Sequence, residues 1–363
     1  MANSRTTIAI VGAGLMGRVA AWRLLTAGYS VTLFDRDAIA GGTAAAYTAA
    51  GMLAPLSELE SAESLVYHLG LRSLQLWPEW LHSLNAGALM GNGGTLVVAH
   101  AQDRSSFLQF QSNLAHKLAS SDLLQMLEQP ALAALEPDLA QHFSSALWLK
   151  NECWLNTHAL LARLAQAIQS AKAVWHSQCE VESVAPGRVT VNGESSAFDW
   201  VVDCRGLGAK ADCVNLRGVR GELLEVYAPE VNYTHMLRLM HPRYRLYLVP
   251  RPNHHYLLGA TQIESEDYSP ISVRSAMELL SALYTLHPGF AEARVVGSRS
   301  NCRPAFNNNL PAIHSQPGLL RVNGLYRHGY LMAPALAEAV QWRLDGETAA
   351  SPFPELFHTD LPR

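Results

Sequence analysis

Three glycines near the start of the chain have the spacing of a nucleotide-binding turn. Residues 12–17 read Gly-Ala-Gly-Leu-Met-Gly, a complete G-x-G-x-x-G. In such a turn Gly12 lets the chain reverse sharply, Gly14 lets backbone approach a pyrophosphate, and Gly17 lets a helix pack closely on a strand. The phosphates then lie at a helix N-terminus, where free N–H groups and the helix dipole favour negative charge. The spacing therefore indicates a dinucleotide site, although an ordinary turn can carry the same glycines.

The segments around this turn are those that a dinucleotide site requires. Thr7–Val11 is a short apolar run typical of a buried parallel strand. A helix-favouring segment follows the turn and ends at Gly28, and a second apolar run, Ser30–Phe34, leads to Asp35. An acid at this place can bind a ribose 2′-hydroxyl, which disfavours NADP because its 2′-oxygen carries a phosphate. The motif by itself leaves NAD and FAD open.

A run of small residues from Gly41 to Pro55 comes next. Such a run cannot form a core, but its backbone can lie flat against a large planar ligand. Thr43 and Thr48 would supply hydroxyl groups to that ligand. A flexible loop would have the same glycine and alanine content, so the composition leaves both interpretations open.

Composition limits the class of protein. The chain has 363 residues, of which 49% are hydrophobic and 16% charged, with a net charge of −4. This predicts ample core for two interlocked domains and, with no basic run, disfavours nucleic acid as a partner. The five cysteines are an odd number without a C-x-x-C, which favours reduced thiols in a cytoplasmic protein. The polar start, Met1 to Ser4, predicts neither a signal peptide nor a membrane span.

Further along, the patterns predict an alternation of helices and strands. Helices are expected over residues 58–84 (broken at Pro78), 103–118, 130–139 (closed by Pro137), 157–170, 272–284 and from 333 onward. Strands are expected over residues 95–100, 146–149, 174–176, 179–184, 188–191, 200–204, 220–227, 236–240, 244–250, 256–261 and 319–322. The strands between 220 and 261 predict an antiparallel sheet of a second domain.

Two further places could bind a ligand. The strand at 200–204 ends in a glycine-rich segment at Cys204 and Gly206, as strands that line a ligand crevice do. The glycine loop that leads into the C-terminal helix is a second helix end suited to an anion. The pair His254-His255 invites a metal interpretation, but after Pro252 it is better placed at an exposed hairpin turn, and no metal site is predicted.

Five motifs in order resemble the glycine oxidase and D-amino acid oxidase family of FAD-dependent amine oxidoreductases. They are GAGLMG, TAAGMLAP (48–55), YLVPR (247–251) with GAT (259–261), RPAFNNNLPAI (303–313) and GLYRHGYLMAPA (324–335). The resemblance covers nearly the whole chain and is strongest to the glycine oxidases of thiazole biosynthesis. It implies FAD rather than NAD. It also implies an α/β (α+β) fold, with a Rossmann-like FAD-binding domain and a second, antiparallel-sheet substrate domain.

The resemblance implies domain limits and site residues. The FAD-binding domain would comprise residues 1–85, 150–217 and 300–363, and the substrate-binding domain residues 86–149 and 218–299. The substrate carboxylate would bind to Arg303 and Tyr247, with Arg327 reaching the same side. The residues expected at the cofactor are Gly12, Ala13, Gly14, Leu15, Met16, Gly17, Asp35, Arg36, Thr43, Thr48, Ala49, Ala50, Gly51, Met52, Leu53, Val181, Cys204, Gly206, Arg303, Arg327, His328, Gly329, Tyr330, Leu331 and Met332.

The implied reaction is oxidation of the amine of a small amino acid to an imine by hydride transfer to flavin N5. Glycine, N-methylglycine or a small D-amino acid would be the substrate, and oxygen or a quinone the final acceptor. The chain departs from the family at His328, Asn308 and Ala305, where asparagine, aspartate and often glycine are usual. These departures leave the substrate open.

Three other functions stay open. The chain could be a quinone-dependent D-amino acid dehydrogenase, a flavoprotein acting on tRNA uridine side chains, or a flavin-binding module without catalysis. The absence of a basic patch counts against the tRNA function, and the presence of Arg303 and Tyr247 counts against the non-catalytic one. A homo-oligomer is possible, and the sequence does not decide it.

Overall fold

The strands around the glycine turn form part of a larger sheet than the sequence predicts. The computed structural model describes residues 6–118, 122–241, 245–346, 350, 351 and 353–359. The strands are β1 (Thr7–Val11), β2 (Ser30–Phe34), β3 (Met52–Leu53), β4 (Met90–Gly91), β5 (Thr95–Ala99), β6 (Leu124–Glu128), β7 (Ser145–Leu149), β8 (Cys153–Leu155), β9 (Val174–His176), β10 (Ser183–Ala185), β11 (Arg188–Val191), β12 (Glu194–Ala197), β13 (Trp200–Asp203), β14 (Arg217–Tyr227), β15 (Met236–Met240), β16 (Arg245–Arg251), β17 (His255–Gly259), β18 (Arg294–Ala305), β19 (Ala312–Gln316), β20 (Leu319–Asn323) and β21 (Phe357–His358). The helices are α1 (Leu15–Thr26), α2 (Pro55–Glu58), α3 (Ser64–Ser83), α4 (Arg104–Lys117), α5 (Gln129–Leu135), α6 (Pro137–Ala140), α7 (Thr157–Ser170), α8 (Val273–Tyr284) and α9 (Gly329–Leu344).

A mainly parallel sheet carries the glycine turn. Its strand order is β21-β19-β20-β13-β1-β2-β9, and the five strands from β20 to β9 are parallel. In register, Val11 at the end of β1 lies between Phe34 of β2 and Asp203 of β13. The carboxyl ends of these strands therefore meet at one edge, where open α/β sheets bind ligands.

A second sheet is mainly antiparallel, as the strands between 220 and 261 predict. Its order is β18-β14-β17-β16-β15-β5-β7-β6, and only β15 and β5 pair in parallel. Along the pair β14 and β18, Val219 lies opposite Arg303. The turn from β16 to β17 contains exposed His254, as predicted, whereas His255 is half-buried and begins β17. Together the two sheets confirm the α/β (α+β) fold class.

Helix α1 is fixed behind the glycine turn by a buried charge. Arg18 is 2% exposed, and its guanidinium donates to the carbonyl oxygens of Ala13 (2.7 Å), Leu161 (2.9 Å) and Ile39 (3.0 Å). A buried cation is tolerated when its donors are satisfied in this way. Arg18 thereby joins the start of α1 to α7 and to the loop after β2.

The long helix predicted over residues 58–84 is wrong at its start and at its proposed break. Residues up to Glu58 form the separate short helix α2, and α3 begins at Ser64. Pro78 lies inside α3 instead of breaking it. Beside it Trp77 is fully buried and donates from its indole N–H to the Tyr330 carbonyl of α9, 2.9 Å away. Packing on α9 therefore outweighs the hydrogen bond that a proline removes.

Several other boundaries differ from the sequence pattern. Residues 179–182 are not a strand, because Cys179 and Glu182 donate to different neighbours, the carbonyls of Asp35 and Thr190. Pro137 begins α6 as well as following α5, and α9 begins at Gly329, earlier than predicted. The pattern also misses β3, β4, β6, β8, β12, β18, β19 and β21. The predicted strand start at 244 and the polar residues 1–4 lie outside the described residues.

Candidate active site

A cavity of about 1460 Å³ lies between the two sheets. On one side it is lined by the carboxyl ends of β1, β2 and β13, and on the other by residues of β14, β16, β17 and β18. Drug-sized ligands occupy pockets of roughly 300–1000 Å³, so this volume leaves room for a dinucleotide together with a small substrate. The predicted site residues that line it are Gly12, Gly14, Leu15, Met16, Asp35, Arg36, Thr43, Thr48, Ala49, Ala50, Gly51, Met52, Val181, Cys204, Gly206, Tyr247, Arg303, Arg327, His328, Gly329, Tyr330 and Leu331.

Four predicted cofactor residues do not line the cavity. Ala13 and Gly17 belong to the glycine turn but lie outside the cavity lining. Leu53 and Met332 are fully buried in the core. Gly12 has φ +93°, and a Cβ there would lie 2.8 Å from the Cys204 carbonyl carbon. A Cβ on Gly17 would lie 1.9 Å from the Gly12 carbonyl oxygen. Close strand and helix packing therefore requires both glycines, while Gly14, the N-cap of α1, faces the cavity.

Asp35 lies at the end of β2 as predicted, but its carboxylate already has backbone partners. It accepts from the amide N–H of Ala13 and from that of Asp37, the second at 2.7 Å. Each carboxylate oxygen keeps a further lone pair, so a ribose hydroxyl can still donate to it. The Thr43 hydroxyl, expected to face the ligand, instead lies 3.1 Å from the Asp37 carboxylate. The ribose contact of Asp35 remains a prediction.

The loop of small residues lies along the cavity because two side chains hold its carbonyls. Arg251 donates to the Ala50 carbonyl at 2.6 Å, and the Thr157 hydroxyl donates to the Ala49 carbonyl at 3.3 Å. The Arg251 guanidinium also lies 4.4 Å from the Trp154 ring centroid. Burial lowers the pKa of Arg251 to about 10, which still leaves it protonated at neutral pH. The backbone of this loop is therefore fixed before a ligand binds.

Helix α9 starts at the cavity wall. Its N-cap is His328, and the first helical N–H with a partner in the turn is that of Met332, which donates to the His328 carbonyl at 2.9 Å. The N–H groups of Gly329, Tyr330 and Leu331 have no acceptor within the helix, as in any first helical turn. A sixteen-residue helix with its N-terminus at a cavity favours an anionic group there.

Arg303 and Tyr247 lie on the wall formed by the antiparallel sheet. Arg303 Nη1 donates to the carbonyls of Thr261 (3.1 Å) and Arg220 (3.4 Å). The guanidinium covers Gly221, where a Cβ would lie 2.1 Å from Arg303 Nη2. Among the described residues no carboxylate forms an ion pair with Arg303. Tyr247 is 9% exposed, and burial raises the pKa of its hydroxyl to about 12, so that it stays protonated.

Arg327 contacts a carboxylate that sequence reasoning missed. Its Nη2 donates to Glu58 Oε2 and, at 3.2 Å, to the Ser61 hydroxyl. The same Glu58 oxygen lies 3.7 Å from His328 Nδ1. Burial acts to raise the pKa of Glu58, but the charge and hydrogen bond of Arg327, together with His328 and Arg238, outweigh it and hold that pKa below its ordinary value. Other cavity residues not predicted are Glu222, Thr261, Asn301, Cys302 and Tyr326. The only signal for Glu58 in the sequence is that an acidic residue follows three positions after the small-residue run ends at Pro55.

The buried His328 makes stability depend on pH. Burial lowers its pKa to about 4, and the nearby Glu58 charge offsets this only in part. The unfolded chain binds a proton near pH 6.5 that the folded chain refuses, so stability is lost as pH falls from about 6.5 to 4. Between pH 8 and pH 5 we expect the free energy of unfolding to fall less in His328→Asn, by up to about 2 kcal/mol.

This expectation is checked by urea unfolding of both proteins at pH 8 and pH 5, with flavin content measured at each pH. His254→Asn, a substitution at an exposed turn, is the matched control and should behave as the unsubstituted protein. An equal loss of stability in all three proteins would show that His328 does not cause the acid sensitivity.

Two classes of site are not found among the described residues. No group of three or more histidine, cysteine, aspartate or glutamate side chains there could hold a metal ion. No helix of residues 6–118, 122–241 or 245–346 has both the length and the apolar character needed to cross a membrane.

The residues present fit FAD. The glycine turn and the N-terminus of α1 can take a pyrophosphate, and the N-terminus of α9 is a second group of free N–H donors at the same cavity. The fixed backbone of residues 48–52 supplies a flat wall between them. FAD needs these features together, since it carries a pyrophosphate and a ring whose charge on reduction is stabilised by donors.

The comparison with known proteins agrees with the FAD site described above. The family model described as "FAD dependent oxidoreductase" (DAO) matches residues 7–342. The putative thiamine biosynthesis oxidoreductase ThiO of Rhizobium etli is 41% identical over 340 residues, covering 93% of this chain and 96% of that protein. Glycine oxidase of Geobacillus kaustophilus is 27% identical over 348 residues, 91% of this chain and 90% of its own.

The fold agrees as well. The crystal structure of that Geobacillus kaustophilus glycine oxidase superposes with a TM-score of 0.83 at 25% identity, covering 99% of each chain. This confirms the predicted FAD cofactor and oxidoreductase class, and with them the resemblance to glycine oxidases. The chain belongs to the family of FAD-dependent oxidoreductases that the DAO model describes.

Proposed function

We propose that this enzyme oxidises the amine of a small amino acid, such as glycine, N-methylglycine or a small D-amino acid, to the imine. The observation that carries the proposal is Arg303, a largely enclosed guanidinium at the cavity without a carboxylate partner among the described residues. A planar guanidinium binds a carboxylate through two parallel hydrogen bonds. The names of the ThiO and glycine oxidase relatives support a small substrate.

The chain's own residues bind and orient the substrate. Arg303 would bind the carboxylate, and the Tyr247 hydroxyl, protonated because burial raises its pKa, would donate to the same group. Two partners on the carboxylate fix its position and plane, which limits the directions that the α C–H can take and gives part of the rate advantage of proximity and orientation. The cofactor, when bound, accepts the two electrons of the oxidation. No side chain is required as a general base when the amine binds in its neutral form.

We further propose which parts of the chain hold FAD. Residues 12–17, with Gly14 foremost, and the start of α1 would take the pyrophosphate, and Asp35 the ribose. Residues 48–52 would lie along the flavin, and the start of α9, from His328 to Leu331, would donate N–H groups to its ring. The adenine side would be covered by Val181, Cys204 and Gly206. These parts lie in the proposed FAD-binding domain of residues 1–85, 150–217 and 300–363; residues 86–149 and 218–299 would form the substrate-binding domain.

The pocket should select substrates that are small and have one configuration at the α-carbon. Tyr247, Arg303 and Arg327 place three large polar side chains at one end of the cavity, beside His328. We expect glycine, N-methylglycine or D-alanine to reduce the flavin at least about tenfold faster than D-phenylalanine, because a large side chain would overpack this end. L-amino acids should be inert, since inversion of the stereocentre turns the C–H away from the ring. Stopped-flow absorbance of the flavin band under argon measures these rates.

The same experiment can contradict the proposal. Fastest reduction by D-phenylalanine or by an L-amino acid would exclude a small, stereospecific pocket. No reduction by any amine in the panel would exclude amine oxidation altogether. Oxygen and a quinone remain proposed alternatives for the final acceptor, and admitting each to the reduced protein in turn shows which reoxidises the flavin.

A further inference from the structure

At the end of the cavity where the substrate carboxylate would bind, the residues that the structure describes neutralise one arginine charge and leave the other without a carboxylate. Arg303 and Arg327 both line this end, but within the described part of the chain only Arg327 has a carboxylate partner, Glu58. His328 adds no charge near neutral pH, because burial lowers its pKa to about 4. Of the cations that the described residues place at this end, one is neutralised by the protein and one is left for a ligand.

We propose that Glu58 determines substrate specificity: by neutralising Arg327, it restricts the pocket to amines that carry one carboxylate and excludes those that carry two. The inference rests on the proposed function, because it takes Arg303 as the group that binds the substrate carboxylate. Glu58 acts on the choice of substrate and takes no part in the oxidation itself.

Glu58 is held in place by hydrogen bonds made by the residue that precedes it. The preceding residue, Ser57, is 1% exposed and donates from its amide N–H (2.6 Å) and hydroxyl (2.7 Å) to the carboxylate of buried Glu152. The Ser57 carbonyl accepts from Arg238 Nη1 at 2.9 Å. With three bonds on the residue before it, Glu58 has little freedom to move aside. A second carboxylate on the same substrate would therefore be repelled by the Glu58 charge beside Arg327.

Arg327 has unused capacity to bind a carboxylate. Its Nε is buried and has no hydrogen-bond partner among the described residues. The Nη2 group that would complete a two-pronged contact is occupied by Glu58 and by Ser61. Without the Glu58 charge, Nη2 would keep at most a neutral hydrogen bond to the amide of Glu58→Gln, while Arg327 stays at the cavity wall. A second carboxylate could then displace that weaker partner and pair with Arg327.

The test compares one substrate of each kind. Glycine carries one carboxylate, and iminodiacetate carries two on the same amine. We expect Glu58→Gln to raise the ratio of iminodiacetate to glycine reduction efficiency by about tenfold or more, since a charged hydrogen bond changes affinity by at least that factor. The double variant Glu58→Gln with Arg327→Met should lose this gain. Anaerobic flavin reduction gives the rates, and flavin content with thermal melting checks folding.

A matched control lies away from the hydrogen bonds around Glu58. Glu338 also pairs with an arginine, Arg72, and neither of these residues lines the cavity. Glu338→Gln should therefore leave the substrate ratio unchanged. The unsubstituted protein gives a second measurement that needs no variant to fold: acetate should perturb the flavin spectrum at lower concentration than malonate.

The outcomes separate the two proposals. If glycine reduces the unsubstituted protein but Glu58→Gln leaves the ratio unchanged, or malonate binds more tightly than acetate, the role of Glu58 is wrong and the proposed function stands. If no small amine reduces the flavin and neither acetate nor malonate perturbs its spectrum, both are overturned. An equal gain in Glu338→Gln would also overturn the role of Glu58, because the effect would then be a general one of removing an acid.

Discussion

Replacement of Gly14 by valine is expected to yield protein that purifies without its yellow colour. Gly14 is the N-cap of α1 and lines the cavity, and a Cβ there would lie 3.4 Å from the Ala44 Cβ. The chain thus has room for one added carbon, whereas the two methyl groups of valine would enter the space that the pyrophosphate needs. Overpacking costs roughly 1–3 kcal/mol, or about five- to 150-fold in affinity for FAD.

The ratio of flavin to protein absorbance after gel filtration measures this loss, and titration with added FAD gives the affinity. Gly41→Val is the matched control, because a Cβ on Gly41 meets nothing within 4 Å and Gly41 does not line the cavity. A Gly14→Val protein that retains full flavin, or a control that loses as much, would place the pyrophosphate elsewhere.

Replacement of Arg303 by lysine is expected to weaken substrate binding while leaving FAD bound. Lysine keeps the positive charge but loses the planar fork, so the second hydrogen bond to the carboxylate is lost. The cost should be roughly 1–3 kcal/mol, or about five- to 150-fold in the concentration of glycine that half-saturates flavin reduction. Gly221→Ala should act in the same direction, since its Cβ would lie 2.1 Å from Arg303 Nη2 and displace the guanidinium.

Arg294→Lys is the control for this change. Arg294 lies on the same strand, β18, but its side chain is 70% exposed and does not line the cavity. It should leave the saturation curve unchanged. If Arg303→Lys also leaves every amine's saturation curve unchanged, Arg303 supports the sheet through the Thr261 carbonyl and does not bind substrate.

Local sequence determined the nucleotide-binding half of the site. Thr7–Val11, the glycine turn, α1 and Ser30–Phe34 are adjacent along the chain, and it is their order that few other structures share. The roles of Gly12 and Gly17 follow from backbone geometry within one turn, so the spacing alone predicts them. The motifs farther along predicted the family because they combine several such local patterns in a fixed order.

Boundaries were predicted less well where packing competes with local preference. Proline at position 78 predicts a break, yet α3 continues because Trp77 is buried against α9. The strand predicted over 179–184 fails at residues 179–182, where Cys179 donates to the carbonyl of Asp35. The contacts of Trp77 with Tyr330 and of Cys179 with Asp35 are distant along the chain, and no window of neighbouring residues contains them.

The substrate half of the site was decided by tertiary structure. Glu58 and Arg327 are 269 positions apart, and nothing near either residue indicates that they pair. Arg303 was recognisable from its motif, but its lack of a carboxylate partner among the residues that the structure describes depends on which strands lie beside β18. The sequence by itself determined that this chain builds a dinucleotide turn and which residues carry its charges. Only the fold decided which charges neutralise one another, because ion pairing depends on distances between residues that are remote in the chain.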